Sequence, residues 1–124
     1  MMEYSEDRPI YMQITDHFCD QILNKEWSAG ERIPSVREMA VKMEVNPNTA
    51  IRAYHYLQDE NVLYNERGVG YFVSDKAYEL VLDLKREEFI REKLPVFYRD
   101  MRQLGISPFD LKSLYEKHHG DDEM

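Results

Sequence analysis

Two helix starts follow one another so closely that the chain between them has little choice of shape. Ser35 with Glu38 three residues on forms a capping box, in which a side-chain oxygen and a carboxylate satisfy two otherwise unpaired backbone N–H groups. Val36, Met39, Ala40 and Met43 then recur at the spacing of one helical face, so the pattern predicts a short helix over 36–43. Asn46 offers a cap to a second helix, and Pro47 suits its first position, where a missing N–H costs nothing. Ala50, Ala53, Tyr54 and Leu57 form the buried stripe of that helix. Only Glu44 and Val45 lie between the two, with Val45 as the apolar plug that sets their crossing angle. So brief a connection makes a helix-turn-helix.

A hairpin follows. Val62-Leu63-Tyr64 and Tyr71-Phe72-Val73 mirror each other across Asn65 to Gly70, and Arg67 beside Gly68 carries a cation at the tip. The slim tip suits a minor groove. Upstream, Ile10, Ile14, Phe18 and Ile22 at four-residue spacing, with Tyr11 and Leu23 alongside, predict a scaffold helix over about 10–24. Glu31-Arg32-Ile33 reads as a short strand against the wing, and Trp27 as a cover for the edge of the domain. The expected class is α+β: an N-terminal winged helix-turn-helix of three helices and a hairpin wing, followed by a small all-α segment.

The free face of the second motif helix carries Asn46, Asn48, Thr49, Arg52 and His55, groups suited to base edges and phosphates. The run from Asn46 to Gln58 contains no Asp or Glu, although the chain as a whole is acidic, with a net charge of −8. Up to Asp75 there are 7 Lys and Arg against 13 Asp and Glu, and beyond it 9 against 11, so the reader half is the more acidic. Phosphate neutralisation supplies most non-specific DNA affinity. A reader of this composition must therefore focus its cations at Arg37, Lys42, Arg52 and Arg67, and its non-specific binding is expected to be weak. An acidic winged helix that binds protein rather than DNA is the competing expectation.

The stretches Pro9-Ile10-Tyr11-Met12-Gln13-Ile14 and Gly30-Glu31-Arg32-Ile33-Pro34-Ser35-Val36-Arg37-Glu38-Met39-Ala40, together with the glycine wing, resemble the GntR family of bacterial transcription factors across residues 9–73. Val45-Asn46-Pro47-Asn48-Thr49, the short tail and Leu104-Gly105-Ile106-Ser107 resemble its YtrA subfamily. The resemblance implies a dimeric regulator, in particular a repressor, on a palindromic operator. It puts DNA contacts at Ser35 and Arg37, at Asn46, Asn48 and Thr49, and at Arg67 and Gly68. Two positions depart from the family pattern: Pro47 stands where many members have a basic residue, and Ile51 where they have an arginine. Arg52 is the nearest substitute, turned about 100° around the helix toward phosphate.

The expected division is 1–75 for the DNA reader and 76–124 for a helical dimerisation tail. In the tail Ile90, Leu94, Phe97, Met101 and Leu104 alternate at four and three residues, a heptad seam that Leu111, Leu114 and Tyr115 can face. Pro95 should kink the long helix. Ser107, Pro108 and Asp110 start a further helix expected to end near His118, with the remaining residues frayed. A tail of this size has too little interior to stand alone, so a homodimer through these helices is expected.

Nothing in the pattern pairs a nucleophile with a base, cradles a phosphate in glycines or spaces ligands for a metal, so neither an enzyme nor a cofactor is expected. His17 is expected at the surface, and the lone Cys19 in the packing of the first helix. A small-molecule effector has room only at the dimer interface or near Ser74 to Ala77. With no apolar run approaching the roughly 20 residues of a membrane span and no basic start at Met1–Asp7, a cytoplasmic protein is expected.

Overall fold

The computed structural model describes residues 8–122. Met1–Asp7, where the absence of a basic start was read, lies outside them, as do Glu123 and Met124. In chain order the elements are α1 (Ile10–Leu23), α2 (Val36–Met43), α3 (Pro47–Asp59), β1 (Leu63–Glu66), β2 (Gly70–Val73), α4 (Ala77–Glu88), a π turn (Phe89–Lys93), α5 (Leu94–Leu104) and α6 (Pro108–Asp122). They form two compact units that divide between Leu84 and Lys85.

The first unit is built from the expected signals. Ser35 Oγ accepts from the Glu38 N–H at 3.1 Å while Glu38 Oε1 accepts from the Ser35 N–H at 2.9 Å, closing the capping box of α2. Asn46 Oδ1 accepts from the Asn48 N–H at 2.8 Å, and Pro47 opens α3. Between them Glu44 takes a left-handed conformation (φ 56°) that ends α2, and Val45 packs against the core. The strands pair antiparallel with Tyr64 opposite Phe72, and their rings stack with centroids 5.4 Å apart. Glu31-Arg32-Ile33 joins as a single bridge, Arg32 opposite Phe72, tied by the Ile33 N–H to the Tyr71 carbonyl at 3.0 Å.

The core centres on α3. Ala50, Ala53, Tyr54 and Leu57 are fully buried, and the two alanines leave space for α1 and α2 to approach. Tyr54 meets Phe18 edge-on at 5.1 Å and Tyr71 at 4.8 Å, and its hydroxyl donates to the Pro34 carbonyl. Burial pushes its phenol far above the ordinary value, with Glu38 and Tyr71 adding to the effect. Aromatic pairs of this kind contribute about 0.5–1.5 kcal/mol each beyond their buried area. Trp27 packs edge-on against Phe18 at 5.1 Å, and Cys19 is buried on α1 as expected. Ala77 and Val81 of α4 are buried in this same core, with Leu80 and Leu84 packed on it. The compact reader therefore extends beyond Asp75 into the tail's first helix.

Three expectations are corrected. Ile10 is not part of the buried stripe but 53% exposed, because it occupies the first position of α1, where no neighbouring turn covers it. α6 continues past His118 to Asp122 instead of fraying there; its start is secured by Ser107 and Asp110, the Ser107 N–H donating to Asp110 Oδ2 at 3.1 Å and the Asp110 N–H to Ser107 Oγ at 3.0 Å. His17 is half-buried rather than on the surface, and its Nε2 is buried with no hydrogen-bond partner among the described residues.

That environment disfavours the imidazolium. Burial lowers the His17 pKa, the Lys42 charge lowers it further, and Asp20 opposes both. An unfolded histidine takes its proton near pH 6.5, so the contribution of neutral His17 is complete above that pH. It declines as pH falls from there toward the lowered folded value. The thermal midpoint should therefore drop more between about pH 8 and about pH 5 in the native chain than in His17→Gln. Equal drops in the two proteins would assign the pH dependence elsewhere.

In the second unit the irregularity expected at Pro95 falls one turn earlier. Pro95 has no N–H, and the helix accommodates it by widening to a π turn in which the Leu94 N–H donates to the Phe89 carbonyl. Gly105, left-handed at φ 70°, ends α5, as the break at Leu104-Gly105-Ile106 anticipated.

Candidate nucleic-acid interface

The residues expected at DNA come from three pieces of the first unit: the start of α2, the exposed side of α3 and the tip of the wing. At α2, Arg37 is exposed, while Ser35 is half-buried with its oxygen engaged by the cap. Its hydroxyl proton remains available as a donor. Glu38 shares this end, and the hydrogen bonds from Ser35 hold its carboxyl below the ordinary value, so it stays ionised as part of the cap.

On α3, Asn46, Asn48, Arg52 and His55 are exposed and Thr49 is half-exposed. Because the Asn46 oxygen caps the helix, its amide NH2 is the group turned outward, a donor rather than an acceptor. Asn48, Arg52 and His55 follow at four and three residues and share one ridge. Ile51 is half-buried and apolar, so α3 offers no cation from that position.

Arg67 and Gly68 form the exposed wing tip, and the φ of +77° at Gly68 is one that L residues rarely adopt. At the base of the wing the fold adds a cation that the sequence pattern did not single out. Arg32 lies over Gly70, where a Cβ would come within 3.0 Å of its Nε, and together with Ser35 and Arg37 it lines a shallow cleft. The signal was available in the predicted pairing of Glu31-Arg32-Ile33 with the wing. What it lacked was the register, since the bridge to Phe72 decides which face Arg32 takes.

Among the described residues no cluster of His, Cys, Asp and Glu could hold a metal ion, and no helix is long and apolar enough to cross a membrane.

In the second unit the tail seam is largely uncovered. Ile90, Phe97, Leu104 and Leu114 are exposed, Leu94 and Leu111 half-buried, and Met101 buried. The π turn adds a step to the helix between Ile90 and Leu94, so the straight heptad register holds from Leu94 to Leu104 and Ile90 is turned out of phase with it.

The matches to known proteins agree with this construction. The family description "bacterial regulatory proteins, gntR family" fits residues 10–73. The HTH-type transcriptional regulator YhcF of Bacillus subtilis is 38% identical over 105 residues, covering 85% of this chain and 85% of that protein. The HTH-type transcriptional repressor YtrA of the same organism is 32% identical over 108 residues, covering 87% of this chain and 80% of that protein. A solved structure of a GntR-family protein from Bacteroides thetaiotaomicron superposes with a TM-score of 0.80 at 41% identity, covering 93% of this chain and 100% of the other. The capped helix pair, the wing and these matches together show that the chain belongs to the GntR family of DNA-binding transcriptional regulators, and not to an enzyme family.

Proposed function

We propose that the chain acts in the cytoplasm as a homodimeric repressor on a palindromic operator, with each α3 entering a major groove and each wing following the adjacent minor groove. One observation carries the reading: in a chain of net charge −8 the exposed side of α3 carries no acid before its last residue, Asp59, and it lies in the same compact unit as the cationic wing tip. Asn48 and Thr49 read base edges from the first turn of α3, while Ser35, Arg37 and Arg67 hold the phosphates that set its register. Paired α5 and α6 helices, meeting through Leu94, Phe97, Met101, Leu104, Leu111 and Leu114, supply the two-fold axis that a palindrome requires. The repressor sense is supported by the relative YtrA, which is itself named a transcriptional repressor.

The test is operator binding by Arg37→Ala and Arg67→Ala across a salt series, using a duplex from the promoter of the chain's own gene. Both side chains are exposed, so the fold should be kept. Each loss should weaken binding and lower the salt slope by about one. Unchanged circular dichroism with unchanged affinity and slope would refute the docking.

A further inference from the structure

Arg52 does not project freely from α3. Its guanidinium carbon lies 4.1 Å from the centre of the Tyr11 ring, which belongs to the first turn of α1 and is itself half-buried. We infer that Tyr11 is a positioning residue for DNA binding: its ring holds the Arg52 guanidinium flat at the α1 flank of the recognition helix, ready for a backbone phosphate. This rests on the operator-binding reading and adds to it a residue outside the helix-turn-helix and wing.

The argument begins with the shape of the group. A guanidinium has all five N–H donors in its plane, so stacking one face on an aromatic ring uses none of them. Among the described residues no carboxylate lies within ion-pair distance of Arg52, and those donors remain available to an anion. Arginine ordinarily loses much rotamer freedom when it grips a ligand. A guanidinium already seated on a ring loses less.

Position decides which anion. Asn48, Arg52 and His55 share the exposed ridge of α3, yet the contact with Tyr11 draws the Arg52 head off that ridge toward α1. Base edges are reached from the part of a helix that enters the groove, and phosphates line its flanks. With Ile51 half-buried, Arg52 is the single cation within α3, so its placement sets the charge the helix offers to DNA. The first turn of α1 thereby becomes part of the interface.

The experiment measures fluorescence anisotropy on the promoter duplex and on a scrambled duplex of the same length, over a range of salt, with the full chain. Tyr11→Leu should weaken binding to both by about two- to fivefold, the size of an exposed cation–π contact. Tyr11→Phe, which keeps the ring and removes the hydroxyl, should restore what Leu loses. In an Arg52→Ala background Tyr11→Leu should have no further effect. Arg52→Lys, at an exposed site that cannot disturb the core, should lose a similar factor while keeping the salt slope, because it retains the charge and not the flat face. The proposal is overturned if Tyr11→Leu binds like the native chain, if Tyr11→Phe is as weak as Tyr11→Leu, or if the Tyr11 and Arg52 losses multiply in the double variant. Native protein that failed on both duplexes would overturn the operator-binding reading itself, and the role of Tyr11 with it.

Discussion

Phe97→Asp combined with Leu104→Asp should convert the protein from dimer to monomer at micromolar concentration and lower operator affinity by roughly 10²–10⁴-fold, the range lost when two linked half-sites become independent. Both side chains are exposed on a single chain, at 43% and 73%, so the charges should not disturb a protomer's own packing. In a paired seam the same carboxylates would be buried against apolar neighbours, where an unpartnered charge is not tolerated. Light scattering gives the mass, circular dichroism confirms the helices, and anisotropy gives the affinity. Ile90→Asp is the internal comparison: the π turn sets Ile90 out of phase with Leu94 to Leu104, so it should cost less than Phe97→Asp alone. A double variant that remained dimeric would place the interface on another surface. Shortening the chain after Ser74 is a poorer test, since it removes Ala77 and Val81 from the reader's own core.

What the sequence made legible, and what it did not, divides by the range of the forces involved. The α2 cap and the α3 cap with its proline are local, each decided by residues within a few positions, and each stands where the pattern put it. The wing is a hairpin as expected, but its strands run on through Asn65, Glu66 and Gly70 to a tighter tip, which shifts the register by one and sets Tyr64 opposite Phe72 instead of Tyr71. The burial of Ala50, Ala53, Tyr54 and Leu57 followed from periodicity alone. His17 was misjudged because its burial, and its nearness to the charge of Lys42, are set by tertiary packing and not by its neighbours in sequence. Ile10 obeyed the period and still lies exposed, because a periodic pattern says which side a residue takes and not whether anything covers that end of the helix. The π turn had a visible cause in Pro95, but a missing N–H can be met by a kink or by a widened turn, and sequence does not choose between them. At the interface the position of Arg52 on α3 was legible. The ring beneath it was not, for Tyr11 lies 41 positions away and meets it only across the α1–α3 packing.

Asn48→Ala or Thr49→Ala should reduce affinity for the true operator far more than for scrambled DNA, while Arg52→Ala should weaken both by about the same factor. The two classes of contact differ in what they can discriminate. A bidentate base contact is worth roughly 1–3 kcal/mol against the wrong base, whereas a phosphate contact is worth the same on any sequence. Asn48 is fully outward on the first turn of α3, with only its backbone N–H engaged by the cap, so its amide is free for the donor and acceptor pair that adenine presents. Thr49 is half-buried, and its one hydroxyl and one methyl fit a single hydrogen bond or a thymine methyl, which predicts the smaller loss of the two. Arg52 is held at the flank by Tyr11, so its removal should lower the salt slope by about one and leave the ratio of operator to scrambled affinity unchanged. Anisotropy on both duplexes at one fixed salt concentration separates the cases. If Arg52→Ala lost selectivity while Asn48→Ala and Thr49→Ala bound normally, the bases would be read from the middle of α3, and the guanidinium would have to leave the Tyr11 ring on binding.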